Sequence, residues 1–171
     1  FPMNIQIVLT VISDDKPGVI QAVSRVLKQY DGSWTQSSMS SLAGQFAGIL
    51  LASVPKERSE ACVEGLHGLE SLGLRIIAHV TGGESKSKPT TEYFLELVGN
   101  DRPGIVHDMT RVLAKHGVNV HNLETLVEPA SMGGGELFRA NAHLLIPDNT
   151  DIEALEDDLE EMANDLMVDI S

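Results

Sequence analysis

Two short turns, at residues 14–18 and 100–104, hold side chains whose types and spacing could bind a small charged ligand. Each turn has an aspartate, Asp15 or Asp101, followed two residues later by Pro-Gly and then by an apolar run. A proline in the first turn of a helix loses no hydrogen bond, and the glycine lets a ligand approach the unpaired backbone N–H groups. Those N–H groups favour a carboxylate or a phosphate, and the preceding aspartate could hold an ammonium group. A carboxylate and an ammonium group together describe a free amino acid.

The same aspartates have a simpler interpretation, because aspartate is common near helix starts. In that interpretation Asp15 and Asp101 only cap the helices that follow them, by accepting a backbone hydrogen bond. Either turn taken alone fits both interpretations.

The turns are positioned by the elements on either side of them. In the first half, apolar residues alternate over 5–11, as in a strand with one buried face, and then recur at helical spacing over 19–27. The rest of the first half predicts strands at 33–41 and 45–54 joined by a turn at Ala43-Gly44, a helix at 57–72 and a strand at 74–80.

The second half repeats this order. The stripe of Val19, Ile20, Val23, Val26 and Leu27 recurs 86 positions later as Ile105, Val106, Met109, Val112 and Leu113, which indicates a tandem repeat. The second half also predicts a strand around 93–97, strands at 118–128 and 136–146 with a loop at 133–135, a helix after a capping box of Thr150 and Glu153, and a strand at 166–170.

Each half therefore predicts a βαββαβ unit, which makes the fold class α+β with two ferredoxin-like domains. Each domain would be a four-stranded antiparallel sheet with both helices on one face. We expect a first domain at residues 4–80, a linker at 81–91 and a second domain at 92–171. The second strand would lie at a sheet edge, and such an edge favours side-by-side pairing with another unit.

Composition and charge exclude several classes of function. The formal net charge is −13, and residues 91–171 carry 17 acidic against 4 basic side chains, so direct binding to nucleic acid is not expected. No apolar run reaches the roughly 20 residues of a membrane span, and the start of the sequence predicts no signal segment. The single cysteine, Cys62, excludes an intrachain disulfide and a multi-cysteine metal site. We expect a cytoplasmic protein without a cofactor or a bound metal.

Two further groups of side chains have open interpretations. None of the six histidines forms a zinc-helix pattern with a carboxylate, so packing or surface roles are expected, although His121 shares the strand parity of Asn119. The last predicted helix carries seven acidic side chains over 153–165. These form either a solvated face or a docking surface for a basic partner protein.

The repeated βαββαβ unit with an Asp-x-Pro-Gly turn resembles the ACT domain, a small-molecule regulatory module, over about residues 4–80 and 92–171. The free-standing tandem pair, with a long glycine-rich hairpin in its second copy, is similar to the glycine cleavage system transcriptional repressor family. This resemblance implies a non-enzymatic regulator that binds a small amino acid, with glycine and serine as first candidates. It also implies a protein partner such as a transcription factor, and pairing of units within a chain or in a homodimer.

ACT domains bind amino acids between two paired units, and the resemblance transfers that site to named positions. The ligand-binding residues would be Asp101, Gly104 and Ile105 in the second turn of one unit. Asn119 and Val120 at the start of the second strand would come from its neighbour.

The first copy departs from this pattern. Asp15, Gly18 and Val19 are the corresponding turn residues, but a second aspartate precedes Asp15, and Trp34 is assigned to the place of Asn119. We therefore expect the second turn to bind the ligand and the first copy to serve as a structural partner.

Two other functions stay open at this point. The first is a constitutive interaction module that keeps the paired fold without a ligand. The second is a small phosphatase-like enzyme on the same fold, for which Arg102 and Lys16 are the candidate anion-binding side chains. Binding of RNA by this fold needs exposed aromatic side chains, and the chain has only 7 Phe, Tyr and Trp residues.

Overall fold

The computed structural model of the chain describes residues 3–81, 88–131 and 134–170. Residues 82–87 of the predicted linker and Gly133 of the predicted loop lie outside the described residues. The chain divides into two compact units, Phe1–Ser85 and Lys86–Ser171, which we call unit 1 and unit 2.

Unit 1 has the predicted βαββαβ order. Its elements are β1 (Asn4–Asp14), α1 (Val19–Gln29), β2 (Ser33–Leu42), β3 (Gln45–Pro55), α2 (Ser59–His67) and β4 (Arg75–Thr81). The strands form one antiparallel sheet in the order β2-β3-β1-β4, with β2 at an edge as predicted.

Unit 2 repeats this architecture. Its elements are β5 (Thr90–Asn100), α3 (Ile105–Lys115), β6 (Asn119–Pro129), β7 (Glu136–Pro147), α4 (Ile152–Leu166) and β8 (Val168–Ile170). The sheet order is β6-β7-β5-β8, again antiparallel with the second strand at an edge. The predicted fold class, α+β with two ferredoxin-like units, is confirmed.

One face of each sheet is buried, and each unit has its own hydrophobic core. In β1 the buried residues Ile7, Leu9 and Val11 alternate with more exposed ones, because successive side chains of a strand point to opposite faces. In unit 2 the core is built around Leu97 of β5 and the buried stripe of α3. Each fully buried aliphatic side chain stabilises its unit by about 1.5–3 kcal/mol relative to an exposed one.

The segment predicted as a helix at 57–72 is helical over that extent, but only its middle part is an α-helix. The segment begins with a 3-10 turn at Lys56–Arg58, continues as α2, and ends in a second 3-10 turn at Gly68–Leu72. Gly65 lies where α2 packs against the end of α1, and a Cβ there would come within 2.9 Å of Tyr30 Cε2. Close packing of the two helices therefore requires a glycine in α2.

The capping box predicted at the start of α4 is also wrong. The N-cap residue is Asp151, whose Oδ1 accepts a hydrogen bond from the backbone N–H of Ala154 at 3.1 Å. The backbone N–H of Thr150 donates to the carbonyl of Pro147 in the preceding turn. That turn shifts the start of the helix by one residue.

Candidate functional site

Both candidate turns end in a glycine from which the helix begins. Gly18 has a φ of 93° and Gly104 a φ of 91°, and each is the N-cap residue of its helix. This left-handed conformation favours glycine over residues that carry a Cβ. The prediction that the prolines lie in the first helical turn is wrong, since Pro17 and Pro103 both precede the N-cap.

The space in front of both helix starts is open. A Cβ built on Gly18 or Gly104 would meet no atom within 4 Å. The side chains of Val19 and Ile105 are buried in their cores, so only the backbone of these two residues is available to a ligand. The first-turn N–H groups have no carbonyl partner in a preceding turn, and they are left for water or an anion.

The aspartates do not cap the helices. Neither α1 nor α3 has a side-chain cap hydrogen bond. Instead, the backbone N–H of Asp15 donates to the carbonyl of Gly44, and that of Asp101 donates to the carbonyl of Glu136, both at 2.9 Å. These bonds hold each turn against the neighbouring hairpin. The interpretation of the aspartates as helix caps is therefore wrong.

The polar side chains of the first turn are engaged within unit 1. Asp15 Oδ2 accepts a hydrogen bond from Ser41 Oγ at 2.7 Å, and Asp14 Oδ1 accepts one from Gln45 Nε2 at 3.0 Å. Lys16 Nζ donates to the carbonyl of Leu72. Each of the two carboxylates therefore accepts a hydrogen bond from an uncharged donor.

The second turn is less constrained. Among residues 3–81, 88–131 and 134–170, no side-chain hydrogen bond or ion pair involves Asp101 or Arg102. Asp101 is exposed, as is Gly104 next to the helix start. An exposed carboxylate beside open N–H groups can hold the ammonium group of a ligand whose carboxylate binds the helix start.

A cavity of about 260 Å³ lies at the first turn, not at the turn that the sequence favours. Its lining includes the predicted residues Asp15, Gly18 and Val19, together with Phe46. Sequence reasoning missed Phe46. It lies opposite Ser13 in the pairing of β1 with β3, and its position two residues after the Ala43-Gly44 hairpin could have placed it there.

Asn119 and Asp101 lie at opposite ends of the sheet of unit 2. Asn119 pairs with Leu145, which is opposite Glu92, whereas Asp101 follows Asn100 at the other end of β5. Eight residues separate Glu92 from Asn100, which corresponds to about 27 Å along a strand. A single unit therefore does not bring together the two parts of the predicted site.

The assignment of Trp34 to the place of Asn119 is wrong. In β2, Ser33 and Trp34 are paired with β3 before a bulge at Thr35. In β6, Asn119 and Val120 are paired with β7 before a bulge at His121. Ser33 is therefore the counterpart of Asn119, and Trp34, like Val120, is half-buried and packs against its core.

A histidine cluster lies on the face of the second sheet away from the helices. His143 stacks on Phe94 with ring centroids 4.7 Å apart, and His121 meets His143 edge-on at 5.0 Å. Glu92 Oε1 lies 3.4 Å from His143 Nε2. Sequence reasoning missed Phe94 and His143, because only strand register brings them together. Among the described residues, no group of three or more His, Cys, Asp or Glu side chains could hold a metal ion.

The helices of the described residues are all too short or too polar to cross a lipid bilayer.

Comparison with known proteins agrees with the repeated architecture. Residues 6–78 and residues 93–164 each match the ACT domain family. A crystal structure of an unknown protein from Galdieria sulphuraria is 30% identical over 99% of this chain and 97% of that chain, with a TM-score of 0.87.

A second solved structure shares the fold over the whole chain. It is described as a proposed glycine cleavage system transcriptional repressor, with 16% identity over 99% of this chain and 96% of that chain and a TM-score of 0.69. No curated protein matches the chain significantly. Two family matches that together cover most of the sequence show that the chain belongs to the ACT domain family, as two ACT domains in tandem.

Proposed function

We propose that this protein is a non-enzymatic regulator that binds a small amino acid between two paired ACT units and acts through contact with a transcription regulator. The observation that carries the proposal is the position of Asp101 and Asn119 at opposite ends of one sheet. Two units paired side by side could place the turn of one beside the second strand of the other. The fold shared with a proposed glycine cleavage repressor supports the choice of partner.

The chemistry of the second turn suits an amino acid. The carboxylate of the ligand accepts hydrogen bonds from the backbone N–H groups of Gly104 and Ile105, and the ammonium group of the ligand binds Asp101. Asn119 of the neighbouring unit adds a side-chain amide, beside the backbone of Val120. Glycine and serine are the first ligands to test, because the site offers a carboxylate, an amide and backbone N–H groups, which match the polar groups of a small amino acid.

Regulation follows from where the ligand binds. A ligand held by two units stabilises the paired arrangement, and it shifts that equilibrium by no more than its difference in affinity for the two states. The two units could belong to one chain or to two copies in a homodimer. Sedimentation with and without glycine measures directly whether two copies pair as a homodimer.

Isothermal titration calorimetry with glycine and serine tests the site. Asp101→Ala removes a charge-assisted hydrogen bond worth about 1.5–3 kcal/mol, so we expect the affinity to fall by at least about tenfold. Asn119→Ala should weaken binding similarly. The matched controls are Asp15→Ala and Ser33→Ala in unit 1, which should leave the affinity unchanged, and circular dichroism checks that each variant is folded.

Two outcomes contradict this assignment. If Asp15→Ala removes binding and Asp101→Ala does not, the ligand binds at the first turn, where the 260 Å³ cavity lies. If no common amino acid gives heat or raises Tm, the protein is a constitutive interaction module. A direct assay of acyl phosphate hydrolysis tests the phosphatase alternative. Lys16 is engaged by a backbone carbonyl, so any such activity should depend on Arg102 and be lost in Arg102→Ala.

A further inference from the structure

The outer face of the sheet of unit 2, on the side away from the helices, carries an aromatic ring that is open to solvent. Phe94 is 76% exposed, and one side of its ring stacks on His143 with the ring centroids 4.7 Å apart. The face of an aromatic ring is electron-rich, so it attracts a cation placed within about 6 Å of the ring centroid. The open side of Phe94 is therefore a contact surface for a positively charged group.

Carboxylates surround this ring. Glu92 and Glu96 precede and follow Phe94 by two residues on β5, so the three side chains share one face of the sheet at intervals of about 7 Å. Glu96 of β5 and Glu124 of β6 both lie opposite Asn141 of β7. Two strand spacings therefore separate the Cα atoms of Glu96 and Glu124 by about 10 Å, so their long side chains can reach one cation between them.

A cavity of about 440 Å³ lies among these side chains. Its lining combines an aromatic ring, carboxylates and side-chain amides, which belong to Phe94, Glu96, Glu124, Asn122 and Asn141. Carboxylate and amide oxygens accept hydrogen bonds, and the aromatic ring attracts the charge of the same donor group. A guanidinium group is planar, always charged and has five N–H donors, and it stacks on aromatic faces. The lining therefore matches the chemistry of an arginine side chain.

The protein already places one guanidinium group on these carboxylates. Arg139 Nη1 lies 3.4 Å from Glu96 Oε1, and Arg139 Nη2 lies 3.3 Å from Glu128 Oε1. Because Glu128 also holds Arg139, Glu96 can accept a second guanidinium group without leaving Arg139 unpaired. Within residues 3–81, 88–131 and 134–170, Glu124 has no ion pair and no side-chain hydrogen bond. Its carboxylate is available to a ligand.

A buried polar atom beside the ring also lacks a partner. In the part of the chain that the structure describes, His143 Nε2 is buried and makes no hydrogen bond. Glu92 Oε1 lies 3.4 Å from it without forming one. Buried polar atoms without a partner are few in native proteins, and each calls for an explanation such as a functional site.

Unit 1 has none of these groups on its outer face. At the equivalent positions, 86 residues earlier, the side chains are uncharged and none is aromatic: they are Gln6, Val8, Thr10 and Ser38. Leu51, which lies opposite Val8, takes the place of His143, which lies opposite Phe94. Since both units keep the same fold, the aromatic and acidic groups of unit 2 are not required by the sheet.

We propose that the outer face of unit 2 binds an arginine side chain of a partner protein. The guanidinium group stacks on the open side of Phe94 and donates hydrogen bonds to Glu96 and Glu124. This inference rests on the proposed function only for the existence of a protein partner. The turn at residues 100–104 takes no part in it, so the two proposals fail separately.

Charge and exposure select the occupant. Residues 91–171 carry 17 acidic and 4 basic side chains, so unit 2 of a second copy would bring like charge to this face. A pocket for a small molecule buries most of its ligand, whereas Phe94 lies on an open face. A partner protein that presents an arginine has the complementary charge and can cover the remaining side of the guanidinium group.

The test is an NMR titration of the 171-residue protein with N-acetyl-arginine amide. This probe has the guanidinium group but neither the free carboxylate nor the free ammonium group of an amino acid, so it cannot use the turn. We expect saturable shifts of the ring signals of Phe94 and His143 that weaken as salt is raised, because exposed charges are screened. N-acetyl-citrulline amide has nearly the same shape without the charge, and it should cause no such shifts.

Two variants locate the site. Glu124→Gln should weaken binding by about two- to fivefold, the size expected for one exposed ion pair. Phe94→Leu removes the aromatic face and should weaken binding by a similar factor, read from the His143 ring signals. The matched control Glu153→Gln makes the same charge change on α4, on the other side of the sheet, and should leave the affinity unchanged. Circular dichroism checks that each variant is folded.

The proposal is overturned if N-acetyl-arginine amide leaves the Phe94 and His143 signals unchanged, or if the citrulline compound shifts them equally. It is also overturned if Glu153→Gln weakens binding as much as Glu124→Gln does. If free arginine shifts the same signals with at least about tenfold higher affinity, the occupant is a small molecule and not a side chain of a partner. Titration of Glu124→Gln with glycine separates the two proposals, since this change should not alter the turn at residues 100–104.

Discussion

The outer faces of the two sheets, on the side away from the helices, differ in the chemistry of their side chains. In unit 1, the exposed Ile49 and Ile77 lie on either side of Thr10, on the neighbouring strands. The exposed part of Ile12 extends this aliphatic surface. The centre of the outer face of unit 1 is therefore aliphatic.

In unit 2 the same face is acidic and aromatic. Four glutamates lie on it, and Arg139 lies within 3.4 Å of two of them, Glu96 and Glu128. Phe94, which is 76% exposed, lies at the place where unit 1 has Val8.

The inward-facing pattern that forms the core is the same in both units, so the fold places little constraint on the outer face. Differences in function between the copies are to be sought on these outer surfaces and at the turns, because fold alone does not define function.

A second difference lies where the first helix of each unit ends. In unit 1, Tyr30 packs against Gly65 of α2, and Arg58 pairs with Asp31. At the equivalent position of unit 2, His116 Nε2 lies 2.7 Å from Asp158 Oδ2 of α4. The same helix contact is close-packed in one copy and polar in the other.

The substitutions with the largest expected effect test whether the two units unfold independently of each other. Leu27→Ala and Leu113→Ala change equivalent buried residues and should each lower the free energy of unfolding of their own unit by about 2–5 kcal/mol. The fluorescence of Trp34, the single tryptophan, follows unit 1 during urea unfolding, whereas circular dichroism follows both units. We expect only Leu27→Ala to shift the Trp34 midpoint. An equal shift by Leu113→Ala would show that the units unfold together.

A smaller effect is expected from two glycines of the second helical segment of unit 1. Gly65→Ala places a Cβ 2.9 Å from Tyr30 and should destabilise by about 1–3 kcal/mol. Gly68→Ala meets no atom within 4 Å and should stabilise by about 0.4–1 kcal/mol, since Gly68 has an ordinary helical φ of −62°. Thermal unfolding of the pair measures both. If the two variants have the same Tm, the helix contact does not depend on close approach at Gly65.

The smallest effect concerns the polar contact of unit 2. Hydrogen bonds from His116 and Lys115 lower the pKa of Asp158 below its ordinary value. Its stabilising contribution is therefore fully present above the ordinary aspartate pKa of about 3.9 and is lost as the pH falls below that value. Asp158→Asn should slightly lower Tm at pH 7, with a difference that fades as the pH falls below the ordinary aspartate pKa. Asp157→Asn is the matched control, and a pH-dependent difference of equal size in that variant would contradict the assignment.

Much of the fold could be predicted from the sequence, because alternation and helical spacing are local properties. The stripes at Val19 and Ile105 and the 86-residue repeat predicted the order of elements in both units. The errors lie at the ends of the elements, where a single hydrogen bond can decide which residue begins or ends a helix. The turn that engages the N–H of Thr150 moved the start of α4, and the packing of Gly65 on Tyr30 accompanies an interrupted second helix.

The candidate site was only partly accessible to sequence reasoning. Asp101 and Gly104 are neighbours in the chain, so their local geometry followed from residue types. The correspondence of Ser33, rather than Trp34, with Asn119 already follows from the 86-residue offset of the repeat, and the bulge at the same place in both pairings agrees with it. The stacking of His143 on Phe94 could not be predicted in this way, because it depends on the register between two strands.

The sequence by itself determined that this chain contains two copies of one α+β unit, each with a glycine-started helix behind an aspartate. Those features depend on residues close together along the chain. Only the tertiary structure decided that the aspartates do not cap their helices, that Asp101 and Asn119 lie at opposite ends of a sheet, and that His143 stacks on Phe94. These features depend on hydrogen bonds and registers between distant segments, which are set when the whole sheet packs on its helices.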